Sequence, residues 1–263
     1  MDTSTADPGP PTGDRPTDRT LLLAAAQPYC LQHALALAGA DALRLHGLPV
    51  RRHGADLLLV CAGGPPLADL ATGLAETLRA AGHRTVDTPG TARRHQLTVT
   101  AGHTAGLGLP DPTRPALGVQ LRREPLRHPP VLPDGAPLPV AALDDTAALA
   151  VLTLCERALP TDLFALHALT ARLREGQLLA LAGAFDEEFT AATLADRLES
   201  AAALLPSGAA DTRKWAENWA QDLRLDLLET TELADGLHDP YLDAAETSDG
   251  AADGTAEDAP DDL

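Results

Sequence analysis

The residues best placed to do chemistry lie between Leu37 and Val60, in the stretch LAGADALRLHGLPVRRHGADLLLV. A small turn, Ala38-Gly39-Ala40, is followed by a short helix ending at His46-Gly47, then by the pair Arg51-Arg52 and an apolar strand that opens with Asp56. Side chains two apart on a strand share a face. Two acids at that spacing would hold divalent metal beside a polyphosphate, but here the pair reads Asp56 and Leu58. Magnesium selects hard oxygen ligands and takes one or two carboxylates from a protein. One Asp can hold a single hydrated ion loosely. It does not hold two.

The basic residues supply a second chemistry. Arg51-Arg52, Arg93-Arg94 and Arg122-Arg123 form three pairs in one half of an acidic chain. Guanidinium forks bind phosphates or carboxylates bidentately without metal. Two readings stay open: an anion or nucleotide pocket, in which Gly39, Arg51, Arg52 and Arg94 are the binding residues, or solvated strand-edge charge paired with nearby acids. His46 reads as a helix-end cap for carbonyls. His53, His95, His103 and His128 lack metal spacing, and Gly63-Gly64-Pro65 reads as a turn. No Ser/His/Asp or Cys/His set stands out, so no catalytic residue is assigned.

The elements that position these residues follow from periodicity. Arg19 to Ala34 is apolar and helical, with Pro28 a kink or break. Leu35 to Ala38 and Asp56 to Cys61 are strands, the second nearly all apolar and so buried on both faces. Asp41 to His46 is a short helix closed by Gly47. Leu67, Leu70, Leu74 and Leu78 fall at helical spacing, with Gly82 as cap. Arg84 to Val86, Gln96 to Thr100 and the alternating Leu117 to Arg122 read as strands, and Gly102 to Pro115 as a loop. Beyond a divide at Pro133 to Pro139 the pattern is helical: Asp145 to Arg157, Asp162 to Leu173, Glu187 to Leu205 and Thr212 to Glu229. Thr161 and Asp211 are the expected N-caps. Trp215, Trp219 and Leu223 give the last helix one bulky core-facing stripe.

Composition bounds the rest. The chain has 263 residues, 44% hydrophobic but 3% aromatic, so Leu, Ala and Val must build the core. Its net charge is -18, and Asp235 to Leu263 holds ten acids with no Lys or Arg. Such a balance argues against broad nucleic-acid binding. Residues 1–18 and 235–263 are expected to be disordered, the first for want of apolar side chains and the second also through charge repulsion. Cys30, Cys61 and Cys155 read as buried small hydrophobes in a reducing cytoplasm. No apolar run reaches the roughly 20 residues of a membrane helix.

The order of pieces resembles the AbiEii/AbiGii type IV toxin family, which has a minimal nucleotidyltransferase core. The matching segments are LAGADALRLHGL (Leu37 to Leu48), Arg51 to Val60, ARRHQLTV (Ala92 to Val99), LGVQLRREPLRHPP (Leu117 to Pro130), LTLCERALPTDLFALHAL (Leu152 to Leu169) and WAENWAQDL (Trp215 to Leu223). The resemblance implies an α/β (α+β) fold: a mixed sheet with flanking helices over residues 19–132, followed by a helical bundle over 140–234. It implies that Gly39 keeps one glycine of a phosphate-approaching Gly-Gly turn, with Ala40 in place of the other. Asp56 matches the first acid of an Asp-x-Asp pair and is the one candidate metal ligand, Leu58 replacing the second. Gln120 stands for an acid on the neighbouring strand, Ala150 for a helix Lys, and Ala165 for an acid that accompanies Asp162. The expected protein is therefore a catalytically degenerate nucleotidyltransferase-fold chain that binds a nucleotide, another phosphate-bearing small molecule or a protein partner. The alternatives are an active transferase, toxin-like, that uses magnesium to modify tRNA or a small molecule with Asp41 or Asp87 as substitute acid, and an accessory enzyme recruited to other chemistry.

Overall fold

The computed structural model describes residues 18–50, 56–100 and 116–236. The expectations placed on residues 1–17, on Arg51, Arg52 and His53, on the loop that includes His103, and on the tail beyond Gly236 lie outside the described residues. The chain runs α1 (Asp18–Gln32), β1 (Ala36–Ala38), α2 (Gly39–Leu45), β2 (Leu57–Cys61), α3 (Leu67–Ala80), β3 (Arg84–Thr88), β4 (Arg94–Thr100), β5 (Leu117–Arg123), then α4 (Leu143–Arg157), α5 (Pro160–Leu169), α6 (Glu175–Phe185), α7 (Ala191–Ala203) and α8 (Ala210–Gly236). The five strands form one mixed sheet in the order β1-β2-β5-β4-β3. Among the described strands, only β2 and β5 pair in parallel. This is the expected α+β architecture, a mixed sheet with flanking helices followed by helices alone.

Alternation along the strands assigns the two sheet faces. Leu57, Leu59, Leu97, Val99, Val119 and Leu121 point to one side, where α3 presents Leu67, Leu70, Leu74 and Leu78 and α1 adds Leu22, Leu23, Ala26 and Cys30. That packing explains why α1 continues through Pro28 to Gln32 instead of breaking: burial of the face outweighs one lost backbone bond. The other face carries Leu58, Gln120 and Gln96 and looks toward α4 and α5. β2 is covered on both sides, as its composition suggests: Val60, on the Leu58 face, is fully buried with Ala148 and Leu149, and only Leu58, where the cleft opens, is half-buried.

The helical half has its own core of Leu and Ala from α4 to α8, closed by Trp219 and Leu223. Leu43, Leu48 and Val50 enter that same core, so α2 is shared between the sheet and the helices. Trp215 stacks on His167 with ring centroids 4.7 Å apart, and its indole donates to Glu175 Oε1 at 2.8 Å. The Trp stripe is thus core, as its spacing predicts.

Four local expectations need correction. Asp211 is not the α8 cap, because the helix already includes Ala210 and Asp211 falls in its first turn. Thr161 is not the α5 cap, because Leu159 holds that position and Pro160 opens the helix, where its missing N–H and fixed φ fit. The helix expected from Glu187 starts at Ala191, capped by Thr190, whose hydroxyl accepts from Thr193 N at 3.2 Å. Helix α6 is unanticipated: QLLALAGAF is apolar all round and gives no amphipathic period.

Two of these features set measurable expectations. Gly90 turns the chain between β3 and β4, and a Cβ there would sit 2.9 Å from the Arg94 carbonyl carbon and from His95 Cα. Backbone atoms cannot swing aside, so Gly90→Ala should destabilise the hairpin by about 1–3 kcal/mol, read as a lower urea midpoint. Burial pushes the Cys30 thiol up to about 12 and the Cys155 thiol up to about 11, from an ordinary 9.0. Because the folded values are raised, the stability they contribute is complete below pH 9 and falls as pH climbs toward 11 and 12. Urea unfolding midpoints should hold from pH 7 to 8.5 and then decline, and Cys30→Ala with Cys155→Ala should flatten that decline.

Candidate functional site

A cleft of about 450 Å³ opens between the sheet and the pair α4 and α5. Register builds its floor. Leu58 of β2 lies across from Gln120 of β5, and Gln120 across from Gln96 of β4. The three side chains form one row on one face. Both amides line the cleft, and no hydrogen bond within the described residues engages either side chain. Each amide offers two donors and an acceptor to whatever occupies the space.

Gly39, Ala40 and Asp56 bound one end of the cleft. Gly39 opens α2 at φ +64, a left-handed value that glycine takes without a Cβ penalty. Asp56 is exposed, and its carboxylate rests on Gly118, where an added Cβ would press against it. Arg19 donates to the Asp56 carbonyl at 3.0 Å and pairs with Asp41. The start of β2 is thereby tied to α1 and α2.

The other end is basic. Arg94 and Arg122 are cross-strand partners on β4 and β5, and both point at Glu156 Oε1 from α4, Arg122 at 2.8 Å. Arg122 also donates to Thr153 Oγ1 at 3.3 Å. Its Nε lies 2.9 Å from Glu124 but is poorly aligned, and counts among the buried atoms without a hydrogen bond. Burial pulls the Arg122 guanidinium below its ordinary value, with Glu124 opposing and Arg94 and Arg157 adding to the pull. Along the roof, Arg157 Nε donates to Asp162 Oδ2 at 3.1 Å.

The positions named from sequence divide clearly. Gly39, Ala40, Asp56, Leu58, Gln120 and Arg94 line the cleft, and so do Ala150, Asp162 and Ala165. Arg51 and Arg52 are outside the described residues. Arg93 and Arg123 are not on the cleft. Arg93 pairs with Glu124 at 3.5 Å, and Arg123 donates to the Gly64 and Pro65 carbonyls. Neither expected substitute acid lines the cleft either. Asp41 is buried beside Arg19, and Asp87 is bonded to His95 on the opposite sheet face. His46 is the C-cap residue of α2, its backbone N–H donating to the Ala42 carbonyl at 2.9 Å, while its side-chain Nε2 lies 2.8 Å from the Ala141 carbonyl instead of on a carbonyl of its own helix. His128 pairs with buried Asp145 at 3.3 Å.

Sequence reasoning missed Glu156, Gln96 and Thr153. The strand-interior Gly118 marks a close approach, but the side chain that meets it is Asp56, so it points to none of the three. Among the described residues no group of three or more His, Cys, Asp or Glu side chains could hold a metal. Glu156 and Asp162 line the cleft, but each is engaged by arginine. The described residues do not fit a magnesium pair.

No family profile matches the chain, and no curated protein matches it. Among solved structures, similarity is found to a putative nucleotidyltransferase from H. pylori, at 17% identity over 83% of this chain and 98% of that one, with TM-score 0.49. JHP933 from Helicobacter pylori is similar at 16% identity over 84% and 96%, TM-score 0.46. MenT4, a nucleotidyltransferase toxin from Mycobacterium tuberculosis, is similar at 19% identity over 78% and 93%, TM-score 0.42. The AbiEii/AbiGii resemblance therefore rests on the quoted sequence segments.

Proposed function

We propose that the cleft binds a phosphate-bearing small molecule, a nucleotide in the first instance, without a metal pair and without nucleotidyl transfer. The observation that carries this reading is the cross-strand row Leu58–Gln120–Gln96 on the floor. Transfer needs metal ions to neutralise the phosphates and activate the attacking hydroxyl. An aliphatic side chain and two neutral amides supply no such ions. They do supply a flat apolar contact and hydrogen-bonding groups suited to a sugar or base edge. Arg94 and Arg122, at the far end, supply charge for a phosphate. The described geometry gives no feature that favours a protein partner, tRNA or a different chemistry over this small-molecule reading.

Thermal unfolding of the full chain with each nucleoside triphosphate and monophosphate, in chelator and in magnesium or manganese, tests the proposal. The expected result is stabilisation that persists in chelator and is lost in Arg94→Ala. Arg51→Ala with Arg52→Ala should weaken it too. Stabilisation seen only with metal, together with transfer of labelled nucleotide to an acceptor, would replace this reading with that of an active transferase.

A further inference from the structure

Glu156 puts an anion where a phosphate-binding cleft should have room for one. Its Oε1 alone contacts both Arg94 and Arg122. The two guanidiniums are direct cross-strand partners on one sheet face, an arrangement that like charges disfavour. A shared carboxylate relieves it. Glu156 also stands in the last turn of α4, where the helix dipole disfavours negative charge. Its placement serves the arginines and not the helix.

The carboxylate has somewhere to go. A second cavity of about 310 Å³ lies behind the same three side chains; Arg93 and Thr193 on its walls can receive the carboxylate, with Glu124, Asp186 and Glu188 lining it as well. Glu156 is partly exposed, so it can turn from one cavity toward the other.

Resting on the reading of the cleft as a phosphate site, we infer that Glu156 is a resident anion that holds the phosphate position in the empty protein and is exchanged for the ligand's terminal phosphate. This makes Glu156 the residue that sets selectivity. A singly charged ligand gains nothing over the carboxylate it displaces. A phosphate monoester brings a second charge and three acceptor oxygens to two guanidinium forks, and so it wins the exchange.

Titration calorimetry of the full chain with inorganic phosphate, adenosine monophosphate and acetate tests this in the wild type, Glu156→Gln and Glu156→Ala. Urea midpoints establish that each variant is folded, and either variant suffices. The expected result is tighter binding of phosphate and the monophosphate by about tenfold or more, the change that one charge-assisted hydrogen bond represents. Acetate should bind measurably only once Glu156 is neutral. Wild-type binding with unchanged or weaker affinity in the folded variants would overturn the role of Glu156 and leave the phosphate site standing. No phosphate binding in any of the three proteins would remove the site itself, and the inference with it.

Discussion

Arg122→Met should lower the unfolding free energy by about 3 kcal/mol, near the bottom of the range for breaking a buried ion pair. The midpoint temperature should drop on the order of 10 °C. Arg122 and Glu124 are each 7% exposed. Removing the guanidinium leaves the Glu124 carboxylate in a dry site, with only Arg93, itself 71% exposed, 3.5 Å away. That remaining partner keeps the loss from being larger. Methionine fills much of the space, so the effect reports charge and not a cavity. The double variant with Glu124→Gln should recover most of the loss, because replacing both members of a buried pair is nearly neutral. A single-variant loss under about 0.5 kcal/mol, the ordinary scatter of surface changes, would mean that the Arg–Glu network is solvated and does not stiffen the basic end of the cleft.

Strands and the long amphipathic helix were legible because their signals are local. Leu67, Leu70, Leu74 and Leu78 announce α3, and the alternation at Leu117 to Leu121 announces β5. Helix α6 was not legible, because Leu and Ala surround it on all sides and its burial depends on partners distant in sequence. The cleft was half legible. Asp56, Leu58 and Gln120 could be placed by their likeness to a strand pair, and the structure sets Leu58 beside Gln120 with Asp56 lining the same cleft. Arg94 was named, but its partner was not. Glu156 reaches it across 62 residues of chain, and nothing local distinguishes that glutamate from the other acids of a strongly acidic protein. Local alternation separates Arg122 from Arg123: adjacent residues on β5 face opposite ways, so Arg122 reaches the cleft while Arg123 turns to the Gly64 and Pro65 carbonyls; Arg93, just ahead of β4, pairs with Glu124 instead.

Leu58→Asp should convert nucleotide binding from metal-indifferent to metal-dependent. Position 58 faces Gln120 on β5 and lines the same cleft as Asp56, which stands just ahead of β2, so the substitution brings a second carboxylate to the cleft two residues from the first, the spacing that can hold divalent ions. The Gly39 turn lies beside it, with space for a Cβ 3.6 Å from the Leu58 side chain, and leaves the backbone free to approach a phosphate. Without metal the variant should be less stable than the wild type, because a half-buried leucine becomes a charge repelled by Asp56. With manganese and adenosine triphosphate at about a hundred times the dissociation constant, ligand linkage should return about 2.7 kcal/mol, or about 5–10 °C in the midpoint. Adding Asp56→Asn should abolish that metal response, which separates ion binding by the pair from loose binding by the phosphates alone. Should Leu58→Asp show no metal response while the Arg94-dependent stabilisation survives, the Asp56 carboxylate is not aimed at the space above position 58. The floor would then not be a metal site emptied by substitution, and the anion-binding end would have to be explained without that history.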